Sequence, residues 1–164
     1  MPRQEPPSAS VNTVALLGQA YSLLGFKIVE GVVGAGFPQK PSHSAVFAQI
    51  KVDGSRLTEL ARGANMTPQA MGELVDELED LEYVERRPDP TDRRAKLIML
   101  TPKGRACIAA GLATIEGIEE RISQVLSQAG HRRLQEMLQK LIETGDVPEK
   151  SAVAMTSILA KIDR

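Results

Sequence analysis

The stretch that decides the fold is YVERRPDPTDRRAKLIMLT, residues Tyr83–Thr101. Apolar and β-favouring residues at Tyr83–Arg86 and Lys96–Leu100 predict two short strands of a hairpin. Turn-forming residues fill the space between these strands: Pro88, Pro90 and Asp92. The hairpin sequence places Arg93 and Arg94 where the connecting loop protrudes furthest.

This hairpin is basic in a chain that is not. Residues 83–105 contain seven Lys/Arg against three Asp/Glu, a local charge of +4, whereas the whole chain has a net charge of −1. A thin basic ribbon that follows a pair of helices fits insertion into a DNA groove. An ordinary charged hairpin would explain these residues equally well if they stood alone, so the preceding segment decides between the two.

The preceding segment predicts two helices joined by a tight turn. Ser55 can cap the first helix, which Gly63 ends. Thr67 can cap the second, with Pro68 at its first position, where the missing N–H costs nothing. The second helix carries an apolar stripe spaced three or four residues apart: Met71, Leu74, Val75, Leu78 and Leu81. Two helices and then a hairpin are typical of a winged helix-turn-helix.

The overall composition excludes several classes. With 164 residues and 42% hydrophobic side chains, the chain can bury a core as one compact unit. One cysteine and two distant histidines leave no disulfide framework or metal site, and we expect no cofactor. We expect neither a membrane-spanning run nor a signal peptide, and therefore a cytoplasmic protein. The near-neutral charge argues against a protein that coats nucleic acid without selectivity.

Long helices flank the winged lobe, which we place at residues 37–101. Residues 1–10 read as a mobile tail, and residues 11–36 as a helix with a narrow apolar seam. Residues 102–164 predict further helices, with breaks at Gly130 and Pro148 and a last helix that Ser151 caps. These helices carry more apolar surface than a small lobe can cover. A second copy of the chain is the economical partner, which predicts a symmetric homodimer.

This arrangement resembles the MarR family of bacterial transcription regulators over almost the whole chain. The resemblance rests on SRLTELARGANMTPQAMGELVDELEDLEYVERRPDPTDRRAKLIMLTPKG, residues 55–104, and above all on DPTDRRA followed by LTPKG. It implies a mainly α fold with a small β-hairpin wing and dimerisation helices at both ends. It also implies that the helix Thr67–Leu81 enters the major groove of an operator and the wing tip the adjacent minor groove.

The resemblance assigns roles in the wing. The family's D-x-R pattern falls on Asp92 and Arg94. By resemblance, Asp92 braces the wing through an ion pair, while Arg93 or Arg94 inserts into the minor groove. Three further basic residues have two equal readings, phosphate contact or wing salt bridges: Arg86, Arg87 and Lys96.

Two departures from the family pattern affect the recognition helix. Glu82 stands where the family usually has glycine, so the helix must end without glycine's conformational tolerance. The helix is also acidic, with no Lys or Arg from Thr67 to Glu82. DNA contacts must therefore come from its N-terminal turn, where the helix dipole favours phosphate. The candidates there are Thr67, Pro68, Gln69, Ala70, Gly72 and Glu73.

Weaker candidates lie outside these two elements. Ser55, Arg56 and Arg62 could touch the DNA backbone, although a plain surface role is slightly favoured for each. His43 could line a cleft that, by resemblance, binds a small aromatic or phenolic ligand; a capping or core-edge histidine is the commoner explanation. Cys107 adjoins an apolar stripe and is interpreted as a packing residue.

Catalysis finds no support, because the sequence lacks a phosphate-binding glycine loop, a nucleophile elbow and a metal-spaced cluster. We therefore predict a ligand- or stress-responsive repressor that binds a pseudo-palindromic operator as a homodimer. One rival is a winged-helix protein-interaction module that has lost DNA binding, which the acidic helix favours. The other is the dimerisation lobe of a small-molecule methyltransferase, which is a poor fit because no cofactor-binding domain follows.

Overall fold

The computed structural model describes residues 12–144, apart from the side chain of Arg93. The elements are α1 (Thr13–Gly34), a 3-10 turn (Pro41–His43), α2 (Ser44–Phe47), β1 (Ser55–Arg56), α3 (Leu57–Gly63), α4 (Pro68–Asp80), β2 (Val84–Asp89), β3 (Asp92–Leu100) and α5 (Pro102–Thr144). The predicted fold class, mainly α with a small β wing, is confirmed. The predicted tail at residues 1–10 and the helix from Ser151 lie outside the described residues.

Of the two N-caps predicted for the helices α3 and α4, the structure has one and lacks the other. Thr67 caps α4 as expected, since its Oγ1 accepts the N–H of Ala70 at 3.2 Å. The prediction that Ser55 caps α3 is wrong. Ser55 is buried in β1, where its Oγ accepts the N–H of Lys51 at 3.1 Å, and Arg56 takes the N-cap position of α3.

The helix α4 ends at Glu82 through a left-handed residue. Glu82 has φ +62°, the conformation that glycine adopts most easily. The N–H of Tyr83 donates to the carbonyl of Leu78 at 2.8 Å, and that of Glu82 donates to Glu79 at 2.9 Å. This is the paired pattern of a Schellman motif, formed here without glycine.

The wing is a three-stranded antiparallel sheet in the order β1–β3–β2, not the two-stranded hairpin predicted. Its tip is the two-residue connection Pro90–Thr91, so Arg93 and Arg94 do not lie at the tip itself. The register changes from Pro88 opposite Lys96 to Asp89 opposite Asp92. Residues 93–95 therefore form a bulge on β3, just beyond the tip.

The core of the winged lobe is centred on Tyr83, which is fully buried. Its hydroxyl donates to the carbonyl of Pro38 at 3.0 Å, and its ring packs between those of Phe37 and Phe47. Gly104, near the start of α5, passes so close that a Cβ there would collide with the carbonyl of Tyr83. This close approach fixes α5 against the end of the recognition helix.

The long helix α5 bends at Ser127, whose φ of 63° and ψ of 162° are not helical. The prediction of a break at Gly130 was therefore displaced by three residues. His131 sits behind the bend, with Nδ1 2.6 Å from Ser123 Oγ and Nε2 2.9 Å from Glu119 Oε2. These contacts join the two halves of α5.

The helix α1 packs on α5 and leaves much of its apolar surface uncovered. Val14 and Tyr21 are each 80% exposed, and Phe26 is 63% exposed. By length and composition alone, this 22-residue helix could cross a membrane, so the expectation that no segment qualifies was too strict. A helix whose apolar face is covered by another protein copy passes the same test.

Candidate nucleic-acid interface

The N-terminal turn of α4 presents an open surface. Thr67, Pro68, Gln69 and Glu73 are exposed, and Ala70 and Gly72 are half-buried. No acidic residue lies in this first turn. The first N–H groups of a helix have no partners within the helix. In this turn Pro68 has no N–H and that of Ala70 donates to Thr67 Oγ1, which leaves the N–H of Gln69. This turn can therefore donate a hydrogen bond to an anion.

The wing presents exposed basic side chains of its own. Arg94 and Lys96 are exposed, and neither forms an ion pair with another described side chain. Arg87 is 63% exposed, but its Nη2 lies 2.5 Å from Glu85 Oε1. Arg93 lies in the bulge on β3. The available positive charge of the wing is thus concentrated just beyond its tip.

An ion pair at the base of the tip holds the wing in place. Asp89, 5% exposed, accepts hydrogen bonds from Arg56 Nε at 2.8 Å and Arg56 Nη2 at 2.5 Å. Thr91 donates to the same carboxylate from its N–H at 2.8 Å and its hydroxyl at 2.6 Å. The Thr91 hydroxyl and N–H, with Arg56, lower the pKa of Asp89 to about 2.

Asp89 was not among the predicted site residues, and Arg56 was predicted as a weak candidate for contact with the DNA backbone, with a plain surface role slightly favoured. Asp92, the predicted brace, lies 3.8 Å from Arg56 Nη2 and accepts the N–H of Arg94 at 3.1 Å. The shorter contacts belong to Asp89. Its place before Pro90 and Thr91 is typical of an aspartate that closes a turn onto the residue two positions on, and this local signal could have identified it.

Arg86 reaches from β2 to α4. Its Nη2 lies 2.5 Å from Asp76 Oδ1, and its Nη1 pairs with Glu79. The backbone N–H of Arg86 also donates to Glu79 Oε1 at 3.2 Å. Of the two readings left open by the sequence, the structure therefore has the salt bridge.

The remaining weak candidates for the site differ in their exposure to solvent. Arg62 is exposed on α3, and Ser55 is too deeply buried to reach a phosphate. His43 is 1% exposed, with Nε2 2.8 Å from Glu77 Oε2 and Nδ1 accepting the N–H of Lys40 at 3.2 Å. It is a buried capping histidine that joins the 3-10 turn to α4, and it does not line the cavity described next.

A cavity of about 440 Å³ lies between α1, α5 and the segment that follows residue 38. Its wall is mostly apolar and includes Ile28, Phe47 and Leu112, with Lys40 at its polar side. Cys107 also lines it, and burial raises the pKa of this thiol to about 11. Cys107 therefore stays a protonated packing residue near neutral pH, as predicted.

No group of three or more potential metal ligands occurs within residues 12–144. The described residues provide hydrogen-bond donors at the N-terminus of α4 and positive charge at the bulge on β3, on a sheet that an ion pair holds in place. A helix pair whose second helix is exposed beside a basic three-stranded wing defines a winged helix-turn-helix protein.

Comparison with known proteins agrees with this class. A MarR-family model matches residues 40–95. The HTH-type transcriptional repressor Rv2887 of Mycobacterium tuberculosis is 35% identical over 83 residues, which are 51% of this chain and 60% of that protein. The chain thus spans about 60% of the length of the mycobacterial repressors it matches. Over residues 40–95 the chain is thus similar to the MarR family of winged helix-turn-helix proteins, a family of transcription regulators.

Solved structures share the fold over most of the chain. RV1404 from Mycobacterium tuberculosis has a TM-score of 0.68 at 26% identity and covers 89% of this chain and 100% of its own. The repressor CouR bound to a 23-mer DNA duplex has a TM-score of 0.66 at 23% identity, covering 86% and 99%. CouR from Rhodococcus jostii RHA1 bound to p-coumaroyl-CoA has a TM-score of 0.64 at 24% identity, covering 87% and 100%.

Proposed function

We propose that the protein is a DNA-binding transcription regulator that acts as a repressor in the bacterial cytoplasm. The observation that carries this proposal is that one lobe exposes both the N-terminal turn of α4 and the wing residues Arg94 and Lys96, which form no ion pair with a described side chain. The turn suits the major groove, and Gln69 can bind an adenine edge with two hydrogen bonds. The bulge with Arg93 and Arg94 suits the minor groove.

The proposed regulator is a homodimer. The exposed apolar side chains of α1, including Val14, Tyr21 and Phe26, support a second copy of the chain as their cover. Two symmetric copies place two recognition helices on one face, so we expect a pseudo-palindromic operator. Its half-sites would be centred about one helical turn apart, roughly 34 Å.

A small aromatic or phenolic ligand is proposed to control the affinity for DNA. The apolar cavity between α1, α5 and Lys40 supports a ligand of this class. Lys40 also pairs with Glu77 of α4 at 2.9 Å, so the cavity wall and the recognition helix share an ion pair. A ligand that displaces Lys40 would favour a different position of α4 and so alter DNA binding.

Footprinting on DNA from upstream of the protein's own gene tests the proposed function. Protection of two half-sites separated by about one helical turn is the expected result. Absence of protection, with a folded dimer in solution, would favour the protein-interaction module that the acidic helix suggested.

A further inference from the structure

We propose that Arg86 is a positioning residue that offsets part of the negative charge of Asp76 and Glu79, and so lets an acidic recognition helix approach DNA. This inference rests on the proposed function and deepens it. It answers how a helix without a single Lys or Arg can dock on a polyanion. It also assigns Arg86 a role other than phosphate contact.

The geometry places one guanidinium between two carboxylates of α4. Arg86 Nη2 lies 2.5 Å from Asp76 Oδ1, and Nη1 pairs with Glu79. The Arg86 side chain is 24% exposed, whereas that of Asp76 is 66% exposed. The arginine is thus the more buried partner of the pair, and Asp76 is the more exposed one. To contact a phosphate, Arg86 would have to leave both acids.

The position of Asp76 makes its neutralisation important. Asp76 lies seven residues after Gln69, which is two helical turns, and therefore on the same outer face as the proposed base contact. An uncompensated carboxylate there would repel the DNA backbone. Asp80, one further turn along, occupies the same face and forms no ion pair with any described side chain.

Neutralisation extends along the helix. Six carboxylates lie between residues 73 and 82, and four of them have a cation within salt-bridge distance: Asp76 and Glu79 (Arg86), Glu77 (Lys40) and Glu82 (Lys103). Arg86 is the only described cation paired with Asp76 or Glu79. Arg86, Asp76 and Glu79 together carry a net charge of about −1, so removal of the arginine would leave two carboxylates with no described partner and a net charge of about −2.

A mutant cycle with a matched control tests the proposal. Asp76→Asn and Asp80→Asn remove the same charge from the same face, one beside Arg86 and one without a described partner. Each is made in the wild type and in Arg86→Gln, and DNA affinity is measured by fluorescence anisotropy, with the melting temperature as the folding control. We expect Arg86→Gln to weaken binding roughly tenfold and Asp76→Asn to recover most of that loss.

The control variant should behave differently. Asp80→Asn should change affinity by the same factor in both backgrounds, because Arg86 does not touch Asp80. If Asp76→Asn recovers nothing in Arg86→Gln, Arg86 acts as a phosphate contact or through wing folding, and the proposal is overturned. If wild type fails to bind DNA, the proposed function fails and this inference with it.

A second comparison needs no arginine variant, in case Arg86→Gln does not fold. In the wild-type background, Asp76→Asn removes a charge that Arg86 partly offsets and should change affinity by less than about twofold. Asp80→Asn removes an uncompensated charge and should strengthen binding more than Asp76→Asn does. The reverse order would contradict the neutralisation of Asp76 by Arg86.

Discussion

Asp89 carries the hydrogen bonds that close the wing tip, and its ionisation should be visible in the stability of the protein. Thr91 and Arg56 lower the pKa of Asp89 to about 2 from its ordinary value of 3.8. A carboxylate with a depressed folded-state pKa stabilises the fold above its unfolded pKa, and this contribution is lost as the pH falls. The loss should therefore occur between about pH 4 and pH 2.

The variant Asp89→Asn isolates that contribution. We expect it to be less stable than wild type at pH 7, with the difference narrowing as the pH falls from 4 to 2. Urea unfolding followed by circular dichroism measures both proteins across this range. A stability difference that stayed constant with pH would mean that the charge of Asp89 does not stabilise the wing.

Glu82 holds a left-handed conformation that a side chain disfavours. Since its φ is +62°, Glu82→Gly should stabilise the protein by about 1 kcal/mol, because glycine adopts this region without a Cβ clash. Asn65, with φ +54°, is the matched control. Asparagine tolerates this region, so Asn65→Gly should gain less stability than Glu82→Gly. Chemical denaturation measures the free energy of unfolding of both variants. Equal gains at the two positions would contradict strain at Glu82.

Among the elements, the packing of α5 depends on the close approach of Gly104 to the backbone of Tyr83. Gly104→Ala would place a Cβ against the carbonyl of Tyr83, and should destabilise the protein by about 2 kcal/mol or more. Gly117 lies in the same helix with no atom within 4 Å of a Cβ position. Gly117→Ala should therefore be stabilising by about 0.5–1 kcal/mol. Thermal unfolding measures both variants. A higher melting temperature for Gly104→Ala than for Gly117→Ala would contradict the close packing of Gly104 on Tyr83.

Elements with local signals were predicted well. The apolar spacing of α4, its Thr67 cap and the unusual helix end at Glu82 all follow from residues close together in the sequence. The third strand β1 was missed because it has only two residues and exists through pairing with β3. The bend at Ser127 was placed at Gly130 because glycine is the stronger general breaker.

The candidate site was predictable in position but not in its ion pairs. The helix and wing were found from sequence, and the basic residues Arg93, Arg94 and Lys96 lie on the wing as expected. The contacts of Arg56 with Asp89 and of Lys40 with Glu77 join residues 33 and 37 positions apart. Such pairings depend on tertiary packing, so the charge pattern alone could not distinguish a bracing arginine from a DNA-contacting one.

At the scale of the whole molecule, the cavity and the recognition helix are linked through Lys40, His43 and Glu77. Lys40 and His43 lower the pKa of Glu77, so that acid stays ionised and paired near neutral pH. If a ligand acts by displacing Lys40, Glu77→Gln should still bind it but lose its effect on DNA affinity. Calorimetry with a panel of phenolic acids, beside DNA titrations with and without each bound acid, measures both.

Two outcomes would count against this coupling. If Glu77→Gln responds to the ligand as wild type does, the Lys40–Glu77 pair does not transmit the signal. If none of the phenolic acids binds, the cavity does not take this ligand class. Asp80→Asn, which removes a charge from the same helix without touching Lys40, serves as the control.

The central claim is that the wing and the N-terminal turn of α4 form a DNA-binding surface. Fluorescence anisotropy with DNA from upstream of the gene, across a salt series, tests it most directly for wild type, Arg94→Ala and Arg121→Ala. Arg121 is exposed on α5, which is not part of the proposed DNA-binding surface, and its replacement by alanine removes the same charge. The affinity of the wild type should be high and should fall steeply with salt. Arg94→Ala should lose several-fold in affinity, and its slope of log affinity against log salt concentration should be smaller by about one. Arg121→Ala should match the wild type. Absence of binding at low salt, or equal losses in both variants, would contradict the claim.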